Sequence, residues 1–378
     1  MKTDVLVIGG GITGCALAYF LASGGARVSL VERHDLNTQA SGSNAGSIHA
    51  QMDHDIFVDG RERDVQRAAP LVPVLKSAID CWKKLEQELE VDFELEVLGG
   101  LLVTDQPDYM RVIERKVAFE RALGLPAELL SESDLRRVAP YISDAMVGGE
   151  FCPIEGEANA LVVAPALAAA ASLHGTEILI KTEIRSLSKG DRGFVAETSN
   201  GRIEADRVVN CAGAEAAAVG RLIGVELPIF GEPIQVNVTE PTAPLVRHLV
   251  YYAGDRLTLK QSKRGALIIG GGWPAQYDAT GRLTLRPESL KGNLRVCRHV
   301  VPKAASVRVI RTWPAVVNGT ADDLPIIDEL SQVPGYFIAS FPSRGFTGGP
   351  VTGRIVANML LGNPQELDVS PFSFSRFN

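Results

Sequence analysis

The sequence predicts an α/β fold: a Rossmann-like unit assembled from both ends of the chain, carrying a second, mostly antiparallel sheet. Three observations predict it. The chain opens on a strand, a glycine turn, a helix and a second strand, Thr3 to Glu32. It closes on another strand, a Gly-rich loop and a helix, Tyr336 to Leu361. Between them lie short runs that read as antiparallel strands, Gln235–Val238, Leu257–Gln261 and Ala266–Ile269. With 378 residues the chain is long enough for two units, each with its own core.

The opening unit carries the most information. Asp4-Val5-Leu6-Val7-Ile8 is an apolar, largely β-branched run suited to a buried parallel strand. Gly9, Gly11 and Gly14 follow at G-x-G-x-x-G spacing. Ala16 to Ser23 reads as a helix closed by Gly24-Gly25, and Arg27 to Val31 as a second strand ending in Glu32. Gly9 permits the tight turn, Gly11 lets a pyrophosphate approach the backbone, and Gly14 lets helix and strand pack closely. The helix start offers unpaired N–H groups and partial positive charge to phosphates. Glu32 stands where a carboxylate bonds a ribose hydroxyl, which argues against a 2′-phosphate and so against NADP. These residues together predict a dinucleotide site.

Residues 34–55 form a polar connection dense in small residues, Ser41-Gly42-Ser43-Asn44-Ala45-Gly46. Val72 to Glu90 has apolar positions at helical spacing. Phe93 to Thr104 reads as a hairpin turning at Gly99-Gly100, Tyr109 to Leu123 as a helix, and Ser131 to Asp134 as the capped start of a short one. Val162 to His174 is an Ala-rich helix. Glu177 to Ser188, Gly193 to Thr198 and Glu204 to Asn210 are strands, the last running into Cys211-Ala212-Gly213-Ala214. Tyr336 to Ala339 is a parallel-type strand, Phe341 to Pro350 a Gly-rich loop, and Val351 to Leu361 a helix stopped by Gly362. The last helix start, preceded by Gly345, Gly348 and Gly349, repeats the logic of the first. A second anion-friendly helix end suits the flavin edge that gains negative charge on reduction.

Composition is that of an ordinary globular protein, with 46% hydrophobic and 22% charged residues, and a net charge of −7 argues against a nucleic-acid partner. Cys15, Cys81, Cys152, Cys211 and Cys297 are scattered, which excludes a self-contained cysteine-ligated Fe–S cluster or a Cys₄ zinc site and gives no disulfide framework. A reducing compartment is therefore expected. Lys2 with the apolar run after it imitates a signal peptide, but Asp4 and the glycine turn interrupt it. No stretch reaches the ~18 consecutive apolar residues of a membrane helix.

A set of motifs runs in order through the chain: Asp4 to Gly14, Val31-Glu32-Arg33, Ala40 to Gly46, Val208 to Ala214, Trp313 with Asp323-Leu324-Pro325-Ile326-Ile327, and Gly345-Phe346-Thr347-Gly348-Gly349-Pro350. In this order they resemble the D-amino-acid oxidase, glycine oxidase and sarcosine oxidase superfamily of FAD enzymes. The resemblance implies a glutathione-reductase-type fold, with an FAD-binding domain (1–85, 148–218 and 308–378) and a substrate domain (86–147 and 219–307). Asn44-Ala45-Gly46-Ser47 and the terminal motif are most like the FAD-bearing smaller subunits of heteromeric dehydrogenases, foremost the smaller subunit of opine oxidase, or opine dehydrogenase. The implied reaction is oxidation of the C–N bond of an opine-type secondary amine of the octopine or nopaline class. Hydride passes to flavin N5, and the imine hydrolyses to a 2-keto acid and an amino acid. The alternatives are a stand-alone glycine or D-amino-acid oxidase, the FAD-bearing component of a proline or hydroxyproline dehydrogenase, and a flavoprotein that only transfers electrons.

Two departures stand out. Val317 occupies the place of the arginine that clamps the substrate carboxylate in simple amino-acid oxidases, and Ala315 that of the cysteine that tethers flavin in the covalent sarcosine oxidases. FAD is therefore expected to be non-covalent. The resemblance implies a larger redox partner in a hetero-oligomer, carrying an Fe–S cluster and, in some members, FMN. It further implies a quinone-type acceptor and a cytoplasmic protein peripheral to the membrane through its complex. The expected cofactor-binding residues are Gly9, Gly11, Ile12, Thr13, Gly14, Glu32, Arg33, Ser41, Asn44, Ala45, Gly46, Ser47, Ile184, Cys211, Ala212, Gly213, Arg344, Gly345, Phe346, Thr347, Gly348 and Gly349. For catalysis the candidates are His49 and Gln51 after the Ser-Asn-Ala-Gly loop, Tyr251 and Tyr252 before the second-sheet strands, and Gln261. Gln261 alternates with Lys260, so at most one of the two faces the substrate. Arg344 is also a candidate for the substrate carboxylate.

Overall fold

Val5 to Ile8 are buried whichever face of the strand they occupy, the burial that a central parallel strand requires. The structure, a computed structural model, describes residues 1–58 and 62–377, and Lys2–Ile8 lies at the middle of its first sheet. That sheet runs Ile326–Glu329, Tyr336–Ser340, Gly201–Asn210, Lys2–Ile8, Val28–Val31 and Glu177–Leu179. Its pairs are parallel except at Ile326–Glu329, and a hairpin of Ile184–Gly190 and Gly193–Thr198 extends antiparallel from Gly201–Asn210. The second sheet runs Val309–Thr320, Ile229–Pro241, Ala266–Gly270, Thr258–Gln261, Leu249–Tyr252, Gly100–Thr104, Gly148–Cys152 and Glu128–Ser131. Only the pair of Leu249–Tyr252 with Gly100–Thr104 is parallel. This is the expected mixed architecture.

Helix Ile12–Ser23 packs against the terminal helix Gly345–Leu361, and glycines set the spacing. A Cβ at Gly353 would come 2.7 Å from the Leu17 amide nitrogen, and one at Gly349 would come 2.7 Å from Ile12 Cγ2. Helix Leu71–Leu89 lays its apolar face, including Leu75, Ile79, Trp82 and Leu85, on the same core. Trp82 is fully buried and donates its indole N–H to the Thr347 carbonyl at 2.9 Å.

Several expectations need correction. Phe93 to Thr104 is not a hairpin: Gly100–Thr104 pairs instead with Gly148–Cys152 and Leu249–Tyr252, partners distant in sequence. The stretch Glu177 to Ser188 breaks into Glu177–Leu179, in the parallel layer, and Ile184–Gly190, in the hairpin; Lys181 between them has φ +52°. The terminal helix starts at Gly345, with Pro350 inside it, where a loop is expected. Gly348 and Gly349 permit this, because their bare backbones fit against the Phe341 ring and against Ile12 and Thr13. Helix Pro287–Val300 and the long strand Val309–Thr320 are not anticipated by any sequence pattern above. Gly148–Cys152 and Val309–Thr320 belong to the second sheet, so domain boundaries at 148 and 308 do not follow sheet membership. The segments 1–85 and 308–378 also include residues 59–61 and 378, which lie outside the described ones.

Candidate active site

The strand ends and helix starts of the first sheet open onto a cavity of about 400 Å³. Gly9, with φ +114°, turns the chain so tightly that a Cβ would sit 2.5 Å from the Cys211 carbonyl oxygen. Gly14 is equally constrained: a Cβ there would lie 1.9 Å from the Gly9 carbonyl oxygen. The first turn of the helix it opens holds no acidic residue. Ser41 Oγ accepts one of the helix-start amides, Ile12 N–H, at 3.0 Å. Glu32 stands at the rim, its two oxygens taking N–H groups from Gly10 and His34, each at 2.8 Å. This fixes the carboxylate as an acceptor. Asn44 folds its loop on itself by donating to the Ser41 carbonyl at 2.6 Å, and Trp313 Nε1 ties the loop to the second sheet through the Ser43 carbonyl at 2.7 Å.

The second helix start reaches the same cavity through Gly345 and Phe346, again with no acid in its first turn. A Cβ at Gly345 would meet nothing nearer than Asn318 Oδ1 at 3.9 Å, so the space before it is open. Two helix starts and a pinned ribose-type acid around one cavity form a donor set that fits FAD. Of the cofactor residues expected from sequence, Gly9, Gly11, Ile12, Thr13, Glu32, Arg33, Ser41, Asn44, Ile184, Cys211, Ala212, Gly213, Gly345 and Phe346 line the cavity. Gly14, Ala45, Gly46, Ser47, Arg344, Thr347, Gly348 and Gly349 are not among the residues that line it. Thr182, Val316, Val317 and Asn318 line it although no motif marks them as cofactor residues; their positions depend on how the two sheets meet.

Thr347 leads from the cavity to the catalytic candidates. Its hydroxyl accepts the His49 N–H at 3.0 Å. His49 Nδ1 is 2.7 Å from the Tyr251 hydroxyl. Arg344, 13% exposed in its side chain, forms an ion pair at 2.5 Å with Asp53, whose side chain is 70% exposed. Burial, and then the charge of Arg344, pushes the His49 imidazole down to about 3, so it is neutral at any ordinary pH. Gln51 is buried, donating its side-chain amide to Glu155 at 2.7 Å.

The other two catalytic candidates are not brought to this cluster. Tyr252 points to the opposite face of its strand and donates to Asp105 at 2.7 Å. Gln261 spends its amide on the loop of Thr242, Ala243, Leu245 and Val246 and on the Gly265 carbonyl. Its neighbour Lys260 faces inward instead, buried and paired with Glu157 at 3.2 Å. Burial pulls the Lys260 ammonium below its ordinary range, against the opposing charge of Glu157.

Behind His49 and Gln51 lies a buried polar network that sequence reasoning missed. Glu155 accepts N–H groups from Ala50 and Gln51 on one oxygen and the Gln51 side chain on the other. Lys116 Nζ lies 2.6 Å from Glu150 and 2.9 Å from Glu120, with all three side chains fully buried. Burial opposes the Lys116 ammonium, but the charges of Glu150 and Glu120 outweigh it and hold it protonated. Burial also drives Glu150 well above the usual carboxylate range. Glu120 Oε2 and Glu150 Oε1 have no hydrogen-bond partner otherwise, and one proton shared between them would satisfy both. No group of His, Cys, Asp or Glu side chains among the described residues could hold a metal, and no helix there is long and apolar enough to cross a membrane.

The comparisons agree with this geometry. Residues 4–359 match the family model "DAO: FAD dependent oxidoreductase". The chain is 27% identical to glycine oxidase of Geobacillus kaustophilus over 99% of its own length and 97% of the relative's. It is 26% identical to the beta subunit of sarcosine oxidase from an Arthrobacter species (99% and 91% covered) and 25% identical to the B subunit of opine oxidase from Agrobacterium tumefaciens (100% and 98% covered). The crystal structure of glycine oxidase from Geobacillus kaustophilus superposes with a TM-score of 0.86 at 25% identity, covering 99% of each chain. The match over nearly the whole chain and the paired helix starts lead to one conclusion: this chain belongs to the DAO family of FAD-dependent oxidoreductases.

Proposed function

We propose that this chain oxidises the C–N bond of an amino-acid-derived secondary amine of the opine type, octopine or nopaline class, giving an imine that hydrolyses to a 2-keto acid and an amino acid. The observation that carries the reading is the cluster of Arg344, Tyr251 and neutral His49 beside the second helix start. Bound FAD, held by the two helix starts and Glu32, supplies the two-electron acceptor. Arg344 offers a cation to the substrate carboxylate, and its present partner Asp53 is exposed enough to be displaced. The same cation disfavours an ammonium nearby, which favours the unprotonated amine that oxidation requires. Apolar Val317, at the position that the resemblance gives to the carboxylate-clamping arginine of simple amino-acid oxidases, lines the cavity, which weighs against glycine as the substrate. Tyr252 and Gln261, engaged elsewhere, have no part in this reading.

The test is anaerobic mixing of the purified yellow protein with octopine, nopaline, proline isomers, sarcosine and glycine. Bleaching of the flavin band by an opine is the expected result. Bleaching only by glycine or simple D-amino acids would replace the reading with a stand-alone oxidase. Bleaching by none, with a co-expressed partner present, would make the chain an electron-transfer component. Two relatives are named as subunits of sarcosine and opine oxidases, which supports a heteromeric complex. In that proposal a larger partner contributes the Fe–S cluster and FMN, and electrons leave toward a quinone-type acceptor. Turnover with oxygen and with an artificial dye, with and without the partner, measures it; fast peroxide formation by the isolated chain would defeat it.

A further inference from the structure

We propose, resting on the reading above that His49 faces the substrate, that Gln51 is a positioning residue rather than a catalytic one: its side chain closes a buried ring of hydrogen bonds that holds His49 from behind. The backbone shows why such a ring is needed. Strand pairing with Gly156–Glu157 ends at Ile48, and the next four amides are all taken by side chains. The His49 N–H goes to Thr347 Oγ1 at 3.0 Å, those of Ala50 and Gln51 to Glu155 Oε1 at 2.5 and 2.7 Å, and that of Met52 to Glu120 Oε1 at 2.6 Å. Glu120 comes from helix Pro107–Ala122 and Glu155 from the turn after strand Gly148–Cys152, so both carboxylates belong to elements remote in sequence from the segment they hold.

The Gln51 side chain joins the two carboxylates. Its amide nitrogen donates to Glu155 Oε2 at 2.7 Å, and its amide oxygen accepts from Lys116 Nζ at 3.4 Å, the longest link. Lys116 directs its other two N–H groups to Glu150 at 2.6 Å and to Glu120 at 2.9 Å, and Glu120 returns the ring to Met52. Only this orientation of the Gln51 amide works, because a carboxylate accepts and an ammonium donates. Gln51 is 5% exposed and Lys116, Glu120, Glu150 and Glu155 not at all, so water does not replace a lost partner. His49 stands directly before the held segment, with Nδ1 2.7 Å from the Tyr251 hydroxyl, so a shift of residues 50–52 is passed on to that contact.

The direction of each bond makes the ring testable by exchange. In Glu155→Gln the new amide N–H points at the Gln51 amide N–H, and turning Gln51 over only moves the mismatch to Lys116. In Gln51→Glu two carboxylate oxygens face each other. The double variant Glu155→Gln/Gln51→Glu removes both mismatches and keeps the charge of the cluster: the residue at 155 still accepts the two backbone N–H groups and donates to the residue at 51, whose second oxygen accepts from Lys116. The readout is the pair of His49 imidazole nitrogen shifts in the resting holoenzyme, assigned with His49→Gln, with Tyr251→Phe marking loss of the contact. Both single variants, and Gln51→Met, which removes the links without creating a mismatch, should move the His49 signal toward its Tyr251→Phe position, and the double variant should bring it back. With an amine that reduces the flavin, the single variants should slow reduction at saturating amine by about tenfold to a hundredfold, and the double variant should recover most of the loss. Where a single variant does not fold, the double variant and Gln51→Met decide. A double variant no better than the single ones overturns the ring. An unmoved His49 signal or an unchanged reduction rate in the folded single variants and Gln51→Met, whatever their melting temperature, overturns the positioning role. The nitrogen shifts need no substrate, so failure of the opine reading and failure of the ring are separate results.

Discussion

The two glycine-rich helix starts serve one cavity, but their glycines are required for different reasons. At the first, backbone meets backbone: Gly9 and Gly14 cannot carry a Cβ because carbonyl oxygens occupy the space at 2.5 and 1.9 Å. At the second, Gly348 and Gly349 make room for side chains, the Phe341 ring and Ile12 with Thr13, while Gly345 has open space before it. The first start is therefore a turn that defines itself, whereas the second is shaped by what packs on it. A substitution in the first should damage fold and cofactor together. In the second, the two effects should come apart by position.

That comparison can be broken in four places. Gly14→Ala is expected to do the most harm, on the order of 3 kcal/mol of stability with loss of bound flavin, read by thermal unfolding and the ratio of flavin to protein absorbance. Gly349→Ala should cost about 1–3 kcal/mol by forcing Ile12 and Thr13 away, with flavin retained at reduced affinity. Glu32→Gln gives both the Gly10 and His34 amides a neutral partner and turns an NH2 donor toward one of them, leaving that amide without an acceptor, and about 1 kcal/mol of stability should go with it. Flavin affinity in that variant should fall by roughly tenfold to a hundredfold, measured by ultrafiltration of the holoenzyme. Gly345→Ala is expected to leave the melting of the flavin-free protein within about 0.5 kcal/mol, since no protein atom opposes it, while lowering flavin affinity. A flavin-free melting loss in Gly345→Ala as large as that of Gly349→Ala would erase the distinction.

The first start is legible in sequence because everything that defines it is local. Gly9 to Gly14, the strands beside them and Glu32 fall within one short run, and the Ser131–Asp134 capping box is legible for the same reason. Alternation limits Tyr251 and Tyr252, and Lys260 and Gln261, to one inward residue each, but which one faces the site depends on the register of distant strands. Lys116 and Glu120 stand four apart on a helix and read as a solvated ion pair, yet both are fully buried. Their burial is caused by strand Gly148–Cys152, which brings Glu150 across from a part of the chain that no local pattern connects to them. Strand Val309–Thr320 is hidden by Pro314 and Gly319. Its place at the sheet edge explains the tolerance, because an edge strand can go without a donor on its open side.

The seam where Gly349 and Gly353 let the two helices touch has a further consequence. The helices are splinted side by side, so their two positive ends are the fixed jaws of a caliper rather than independent hands. A cofactor that bridges both must match a gap set by protein packing. Length, more than any single hydrogen bond, would then separate a full dinucleotide from its mononucleotide half.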